Sequence, residues 1–261
     1  MTEQTDAVVV RYDVDRTVAT LTLDSPHNRN ALSTPLLAQL RQGLDDAAAD
    51  PAVRAVVLTH TGGTFCAGAD LSESSGTPEE AAAERTRDMT ALLRQILELP
   101  KPVLGCIEGH VRAGGMGLIG ACDIVIAGPG STFALTEARL GLAASIISLT
   151  VLPRLSSRAA ARYFLTGERF GPEEAVTDGL ITLSTGDTAA ALADLLAEIR
   201  ECSPQGLAES KRLVTARILE GFDRYGDDLA AQSARLFGSA EAVEGMTAFL
   251  QKRPPSWART R

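Results

Sequence analysis

The sequence lacks several features that would assign it to a familiar class of protein. Aromatic residues make up 4% of the 261 residues, and no uninterrupted apolar run is long enough to cross a bilayer. The first six residues are polar and acidic, unlike the basic and apolar pattern of a secretory signal peptide. These absences predict a soluble, cytoplasmic protein.

Metal-binding patterns and excess positive charge are also missing. The four cysteines and three histidines are scattered without the spacing of a zinc site or of a Ser-His-Asp triad. The formal net charge is −8, which argues against a nucleic acid or a membrane surface as partner. The sequence therefore predicts no metal, and any anionic ligand must be met by local cations.

What is present is enough apolar sequence for a large core, since 45% of the residues are hydrophobic. Apolar periodicity predicts strands over 18–23, 55–60 and 123–127, and helices over 34–50 and 78–99. From residue 188 the pattern is almost purely helical, with tail helices over 207–219, 229–236 and 240–250. The chain is thus predicted to be an α/β core followed by helices.

One glycine-rich stretch, residues 102–123, permits two interpretations. Gly115, Gly117 and Gly120 spell GxGxxG after a strand, which is typical of a dinucleotide site with Glu137 as the ribose-binding acid. Alternatively, Gly114 opens a short helix and offers its N–H to an oxygen that gains negative charge. The second interpretation is favoured, because the next strand begins too soon for the crossover helix of a dinucleotide unit.

A second loop repeats this layout. Residues 64–71 follow the apolar strand 55–60 and a Gly62-Gly63 turn, so two small-residue loops each leave a buried strand. The two loops, FCAGADL and GHVRAGGMGLIGACDI, together with Asn30-Ala-Leu-Ser33 and the tail EGMTAFLQKRPPSW, resemble the crotonase family of enoyl-CoA hydratases and isomerases. The resemblance runs from about residue 8 to residue 257.

The resemblance implies a fold and an assembly. The fold is α/β, a crotonase-like spiral of ββα turns over residues 1–200, with a C-terminal helical region over 201–261 that trimerises. The assembly implied is a homotrimer or a dimer of trimers. The ligand implied is an acyl-CoA substrate, with no cofactor beyond the coenzyme A thioester itself.

The resemblance also assigns the chemistry. The N–H groups of Ala69 and Gly114 form an oxyanion hole, and Glu137 is the acid and base. The family's other usual glutamate falls on Gly117, which has no side chain. Three interpretations stay open: an enoyl-CoA hydratase with a single glutamate, which is the first choice, a Δ3-Δ2 enoyl-CoA isomerase, and a non-catalytic acyl-CoA-binding relative.

The resemblance assigns substrate binding to residues in five segments. Arg29 is expected to meet a phosphate of the coenzyme, and Phe249 and Lys252 to contact its adenine and phosphate from the tail. Met89 is expected either to pack in the core or to line the acyl chain. The remaining members of the implied binding set are Ala31, Ala67, Asp70, Leu71 and Gly115.

Overall fold

The computed structural model describes residues 7–70, 73 and 78–258. Its strands are β1 Val10–Asp15, β2 Val18–Leu23, β3 Ala55–His60, β4 Thr64–Cys66, β5 Val103–Ile107, β6 His110–Arg112, β7 Ile124–Ala127, β8 Thr132–Ala134 and β9 Leu183–Ser184. Its helices are α1 Thr34–Ala49, α2 Pro78–Glu98, α3 Gly114–Ala121, α4 Ser148–Val151, α5 Ser157–Thr166, α6 Pro172–Thr177, α7 Thr188–Glu201, α8 Pro204–Phe237 and α9 Ala240–Leu250.

The strands form two sheets that the chain visits alternately. The larger sheet has the order β1-β2-β3-β5-β7-β9, and the smaller has the order β4-β6-β8. All neighbours are parallel except β1 and β2. The strands β3, β5 and β7 of the larger sheet are each followed by a short strand of the smaller one and then by a helix or turn. This is the ββα spiral that the resemblance implies, and the α/β fold class is confirmed.

The larger sheet is buried on both faces. On β3, Val56 and Leu58 belong to the main core beneath α1 and α2. Ala55 and Val57, which alternate with them, belong to a second cluster with Leu196 and Ile199 of α7. Because successive side chains of a strand point to opposite faces, a continuous apolar run such as AVVL suits a strand covered on both sides.

Helix α1 begins as its sequence predicts. The Ser33 side chain accepts a hydrogen bond from the Leu36 N–H, and Pro35 occupies the first turn. Buried residues recur along one face of α1, and α2 buries Met89, Leu92, Leu93, Ile96 and Leu97 in the same core. The two helices therefore cover the sheet face that carries the main core.

The C-terminal region is helical, but its first two predicted helices are wrong in one respect. Residues 204–237 form one continuous helix, α8, rather than separate helices over 207–219 and 229–236. Contacts along α2 span the expected gap: Arg94 pairs with Asp223 at 2.6 Å, and the hydroxyls of Thr86 and Ser233 lie 3.2 Å apart. Packing of this kind outweighs the weak helix propensity of Gly221 and Gly226.

Helix α8 is also tied to the core by a buried charge. The Lys211 ammonium donates to Asp123 at 2.8 Å and to the carbonyls of Ile96 and Lys101. Asp123 in turn accepts from the Val103 N–H, which makes it the backbone anchor between β5 and β7. The division at residue 200 and the trimerising role of the tail stay predictions.

No helix within the described ranges combines the length and the apolar character that a bilayer crossing requires.

Candidate active site

Three loops of the predicted site leave the smaller sheet at the same edge. Its strands are parallel, with Cys66 paired to Val111 and Val111 to Phe133. The chain therefore leaves β4, β6 and β8 side by side, and Ala69, Gly114 and Glu137 follow within three residues of the ends of these strands. Ligands commonly bind at the carboxyl ends of parallel strands, where such loops converge.

The Ala69 N–H points away from the neighbouring segment, which contains Leu32. Leu32 donates to the Gly68 carbonyl at 2.8 Å, and its own carbonyl accepts from the Asp70 N–H at 3.3 Å. In a parallel bridge of this kind the residue between the two bonded positions, Ala69, points its own N–H to the other side. No described group accepts from that N–H.

The Gly114 N–H is set by a strained residue. Ala113 has φ 46° and ψ −119°, a conformation that L-residues rarely adopt, and its carbonyl accepts from the Met116 N–H at 2.8 Å. Because C=O and N–H of a trans peptide point in opposite directions, the Gly114 N–H points away from α3. It also has no acceptor among the described residues.

The loops that carry these two N–H groups are in contact. A β-carbon on Gly68, which has φ 93°, would lie 2.7 Å from the Ala113 β-carbon and 3.5 Å from the Gly114 nitrogen. Only glycine permits this approach. The arrangement brings two unused backbone donors together at one end of the sheet, where they can stabilise an oxygen that gains negative charge.

Glu137 is the buried carboxylate of the site. It begins the 3₁₀ turn Glu137–Leu140, and although part of the residue is accessible, its Oε2 is buried without a partner in the described structure. Burial raises the pKa of Glu137 to about 7, partly offset by a hydrogen bond from its own backbone N–H. A carboxyl group with this pKa can both accept and return a proton near neutral pH.

Helix α9 holds the turn that carries Glu137. A β-carbon on Gly141, at φ 72°, would lie 2.6 Å from the Glu241 carbonyl carbon, and one on Gly245 would lie 2.3 Å from the Leu140 oxygen. Two glycines thus allow the helix and the turn to touch through their backbones. The tail of the chain therefore fixes the position of Glu137.

Apolar side chains surround Gly117, the position at which the family usually has a glutamate. A β-carbon at this position would lie 2.5 Å from Ile147 Cγ2 and 3.1 Å from Met89 Cε. Met89 was predicted to pack in the core or to line the acyl chain. It is buried, and its tip reaches the first turns of α3.

Helix α3 is no part of a dinucleotide-binding unit. It joins β6 of the smaller sheet to β7 of the larger one, whereas a dinucleotide unit needs parallel strands of one sheet. A β-carbon on Gly120 of the same motif would lie 2.9 Å from the Thr150 backbone, so this glycine serves close packing between α3 and α4. The fold therefore excludes the dinucleotide interpretation that the sequence disfavoured.

Several predicted coenzyme-binding residues lie beside the oxyanion loop. The Arg29 carbonyl accepts from the Ala67 N–H at 3.1 Å, and the Asp70 carboxylate accepts from Asn28 at 3.1 Å. Ala31 is buried in the same segment, Gly115 packs against Cys66, and the exposed Arg29 has φ 61°. Leu71 lies outside the described residues.

The two tail residues lie on another element. Phe249 lies in the last turn of α9 with 54% of its surface exposed, and the Lys252 N–H donates to the Phe249 carbonyl at 3.1 Å. Neither residue belongs to the segment that carries Arg29 and Ala31, nor to a loop of the smaller sheet. The structure brings the loop residues together and places these two on the helical tail.

The role of Asn30, which fixes the loop between β2 and α1, was not predicted from the sequence. The buried Asn30 amide donates to the carbonyls of Thr61 and Thr64 at 3.0 and 2.8 Å, and its oxygen accepts from the Ser25 N–H. Its φ of 52° is one that asparagine tolerates better than most residues. An asparagine in the polar loop between a strand and a capped helix was the available signal.

Glu108 is another carboxylate in this part of the chain, and the structure places it at the larger sheet. It follows β5 and accepts a hydrogen bond from the Thr188 hydroxyl at the start of α7. Within the described residues there is no cluster of three side chains able to hold a metal ion. Glu108 thus follows a strand of the larger sheet, whereas Glu137 follows β8 of the smaller sheet by three residues.

Comparison with known proteins gives consistent similarities. A family model described as enoyl-CoA hydratase/isomerase matches residues 13–260. A solved enoyl-CoA hydratase from Mycobacterium avium superposes with a TM-score of 0.91 at 58% identity, covering 97% of this chain and all of that one (100%). The 1,2-epoxyphenylacetyl-CoA isomerase of Escherichia coli is 33% identical over 94% of this chain and 96% of its own length. The (E)-benzylidenesuccinyl-CoA hydratase of Thauera aromatica is 31% identical over 95% and 98%.

Proposed function

The chain belongs to the enoyl-CoA hydratase/isomerase family, and we propose that it moves a proton at the carbon next to the thioester carbonyl of an enoyl-CoA, with Glu137 as its single acid and base. One observation carries this proposal. A carboxylate with a buried, unpartnered oxygen follows the same sheet edge as two unused backbone donors.

The donors supply the electrostatic part of the reaction. The thioester oxygen accepts from the N–H groups of Ala69 and Gly114, so the negative charge that develops on it meets two fixed dipoles. Each such donor contributes about 2.7–4 kcal/mol to lowering the barrier. Because the donors are part of the backbone, no side chain has to move when the charge forms.

Hydration of a 2-enoyl-CoA is the first candidate reaction. Ionised Glu137 takes a proton from water, the oxygen of that water bonds to C3, and the electron pair of the double bond moves toward the thioester oxygen. Glu137 then returns the proton to C2, so that one water is added and the carboxylate is restored. The names of the hydratases to which the chain is similar support this candidate.

Isomerisation of a 3-enoyl-CoA to a 2-enoyl-CoA is the second candidate. Glu137 takes a proton from C2 and returns it to C4, which needs no water and no second carboxylate. The absence of a side chain at Gly117 favours this candidate, as does the similarity to a relative named an isomerase.

Substrate binding follows the same assignment. Arg29 would meet a phosphate of coenzyme A, Met89 would contact the acyl chain, and Ala31, Ala67, Asp70 and Gly115 would line the path to the oxyanion loops. Leu71, outside the described residues, stays in the binding set on the resemblance alone. Phe249 and Lys252 lie on another element, which suits a contact with the coenzyme of a neighbouring subunit. No cofactor other than the coenzyme A of the substrate enters the proposal.

Assembly as a homotrimer or a dimer of trimers is part of the proposal, as is a cytoplasmic location. Apolar side chains on the outside of α8 and α9 support the assembly, because large exposed apolar groups commonly mark contacts between subunits. They are Leu213, Val214, Val243, Phe249 and Leu250.

The test is product identification. Purified protein is incubated separately with 2-enoyl-CoA and 3-enoyl-CoA esters of several chain lengths, and products are separated by liquid chromatography and mass spectrometry. A 3-hydroxyacyl-CoA from the first set identifies a hydratase, and a 2-enoyl-CoA from the second identifies an isomerase. Tight binding with no turnover of either set would make the protein a binder and refute the proposal.

A further inference from the structure

The wall of α3 beside the proposed oxyanion hole is closed by two apolar side chains. Gly114 and Gly117 lie on one face of α3, about 4.5 Å apart along its axis. Ile147 Cγ2 and Met89 Cε sit where a Gly117 side chain would begin, at 2.5 and 3.1 Å from its β-carbon position. Ile147 is 5% exposed and Met89 is 8% exposed.

Ile147 is held rigidly in this position. The fully buried Thr150 hydroxyl donates to the Gly117 carbonyl at 3.0 Å and lies 3.2 Å from the Ile147 carbonyl. The absence of a side chain at Gly120 lets the Thr150 backbone approach α3 directly. A β-branched side chain on a clamped backbone has little rotamer freedom, so Ile147 cannot easily move aside.

Among the described residues, the side chains that contact the Gly117 position offer no hydrogen bond to a water. An ordered water needs two to four polar partners, and the two side chains at this wall provide none. The Gly117 carbonyl, which could have served as an acceptor, is already bonded to Thr150. The wall thus leaves no room for a second carboxylate at position 117, nor for a water that such a carboxylate would hold.

We propose that Ile147, seated on Gly117 beside Met89, determines the specificity of the site by favouring proton transfer within the acyl chain over addition of water. This rests on the proposed function and decides between its two candidates. In the favoured reaction, the C2–H bond of a 3-enoyl thioester breaks, the proton goes to Glu137, and the electron pair moves toward the thioester oxygen. The proton then forms a C4–H bond, the double bond lies between C2 and C3, and the carboxylate is restored.

The experiment measures two rates on the same protein: conversion of a 3-enoyl-CoA to a 2-enoyl-CoA, and conversion of that 2-enoyl-CoA to a 3-hydroxyacyl-CoA. The wild-type ratio of isomerisation to hydration should be above about 10, the range in which one small apolar group discriminates. Ile147→Ala should lower the ratio at least about threefold, because it removes the side chain that covers Gly117 and leaves room for a water beside the Gly117 carbonyl and the Thr150 hydroxyl. Ile147→Ala combined with Gly117→Glu should lower it further by supplying an acid.

Two further variants keep the test decisive. Ile146→Ala, a neighbouring buried isoleucine that is not among the closest atoms to Gly117, is the matched control and should leave the ratio unchanged. Met89→Gln adds a polar group of similar length without opening a cavity. It should lower the ratio even if Ile147→Ala fails to fold.

The possible results distinguish the role proposed for Ile147 from the function proposed for Glu137. A wild-type protein that hydrates faster than it isomerises overturns the inference, and so does a ratio that changes less than about threefold in both the folded Ile147→Ala and Met89→Gln proteins. Either result leaves Glu137 chemistry intact. A wild-type protein that turns over neither substrate instead refutes the proposed function.

Discussion

Replacement of Glu137 by glutamine should make the protein more stable above neutral pH while removing its activity. Burial raises the pKa of this carboxyl group from 4.5 to about 7 in the folded protein. Between these two values the folded state retains a proton that the unfolded state releases. The free energy of unfolding therefore falls as pH rises from about 4.5 to about 7, and Glu137 contributes an unfavourable buried charge above that range.

The size of the effect follows from the two pKa values. At about 1.4 kcal/mol for each pKa unit, the penalty in the wild-type protein at pH 8 is about 3 kcal/mol. Glutamine has nearly the same shape and no charge, so Glu137→Gln should recover up to that amount. In a chain of this size it corresponds to a rise in melting temperature of about 6–12 °C at pH 8. Near pH 4.5 the two proteins should melt together.

The assay is thermal unfolding followed by circular dichroism between pH 4.5 and 8.5 at constant ionic strength. Glu220→Gln is the control, because it makes the same substitution at an exposed glutamate on α8. A Glu137→Gln protein with the same melting temperature difference at every pH, or one less stable than wild type at pH 8, would refute the reasoning.

Four other predictions test the neighbouring parts of the structure. Gly117→Glu alone should lower the free energy of unfolding by about 1–3 kcal/mol, because its β-carbon meets Ile147 Cγ2 at 2.5 Å; an unchanged melting temperature would contradict this. Ala69→Pro removes an N–H that no described group uses and also fixes φ at this residue, so kcat should fall at least about 10²–10³-fold; a folded variant with unchanged kcat in steady-state kinetics would exclude Ala69 from the oxyanion hole. The value of kcat/KM should fall about tenfold per pH unit below pH 7, since Glu137 must be ionised to accept the proton from the substrate or water. A kcat/KM that stays constant from pH 5 to 8 would show that another group accepts this proton. Light scattering at micromolar concentration should give the mass of three or six chains, and a monomer would end the trimer proposal.

Much of the fold could be predicted because its signals are local. Ser33 caps α1 as expected, β2 and β3 have the predicted bounds, and the glycine loops follow the strands that the apolar runs indicate. These features depend on residues near one another in the sequence. The continuity of α8 could not be predicted in this way, because it depends on contacts with α2 such as that between Thr86 and Ser233.

The candidate site, too, could be predicted from the sequence only where its features depend on residues close together in the chain. The motifs placed Ala69, Gly114 and Glu137 in loops that the structure brings to one sheet edge, since each follows a short strand by a few residues. The absence of an acid at Gly117 is visible in the sequence, but the occupation of that space by Ile147, far along the chain, is not. Likewise, the raised pKa of Glu137 comes from burial by distant elements. Packing across long separations is what the sequence pattern leaves open.

The central claim, that Glu137 alone moves a proton beside the thioester, is tested most directly by hydrogen exchange in the substrate. A saturated acyl-CoA is incubated with the protein in D₂O, and deuterium at C2 is measured by mass spectrometry, so that neither hydration nor isomerisation is needed for a signal. The wild-type protein should exchange C2 hydrogen above the rate without protein, and Glu137→Gln should not. Equal exchange by both proteins, or none by the wild type, would contradict the account.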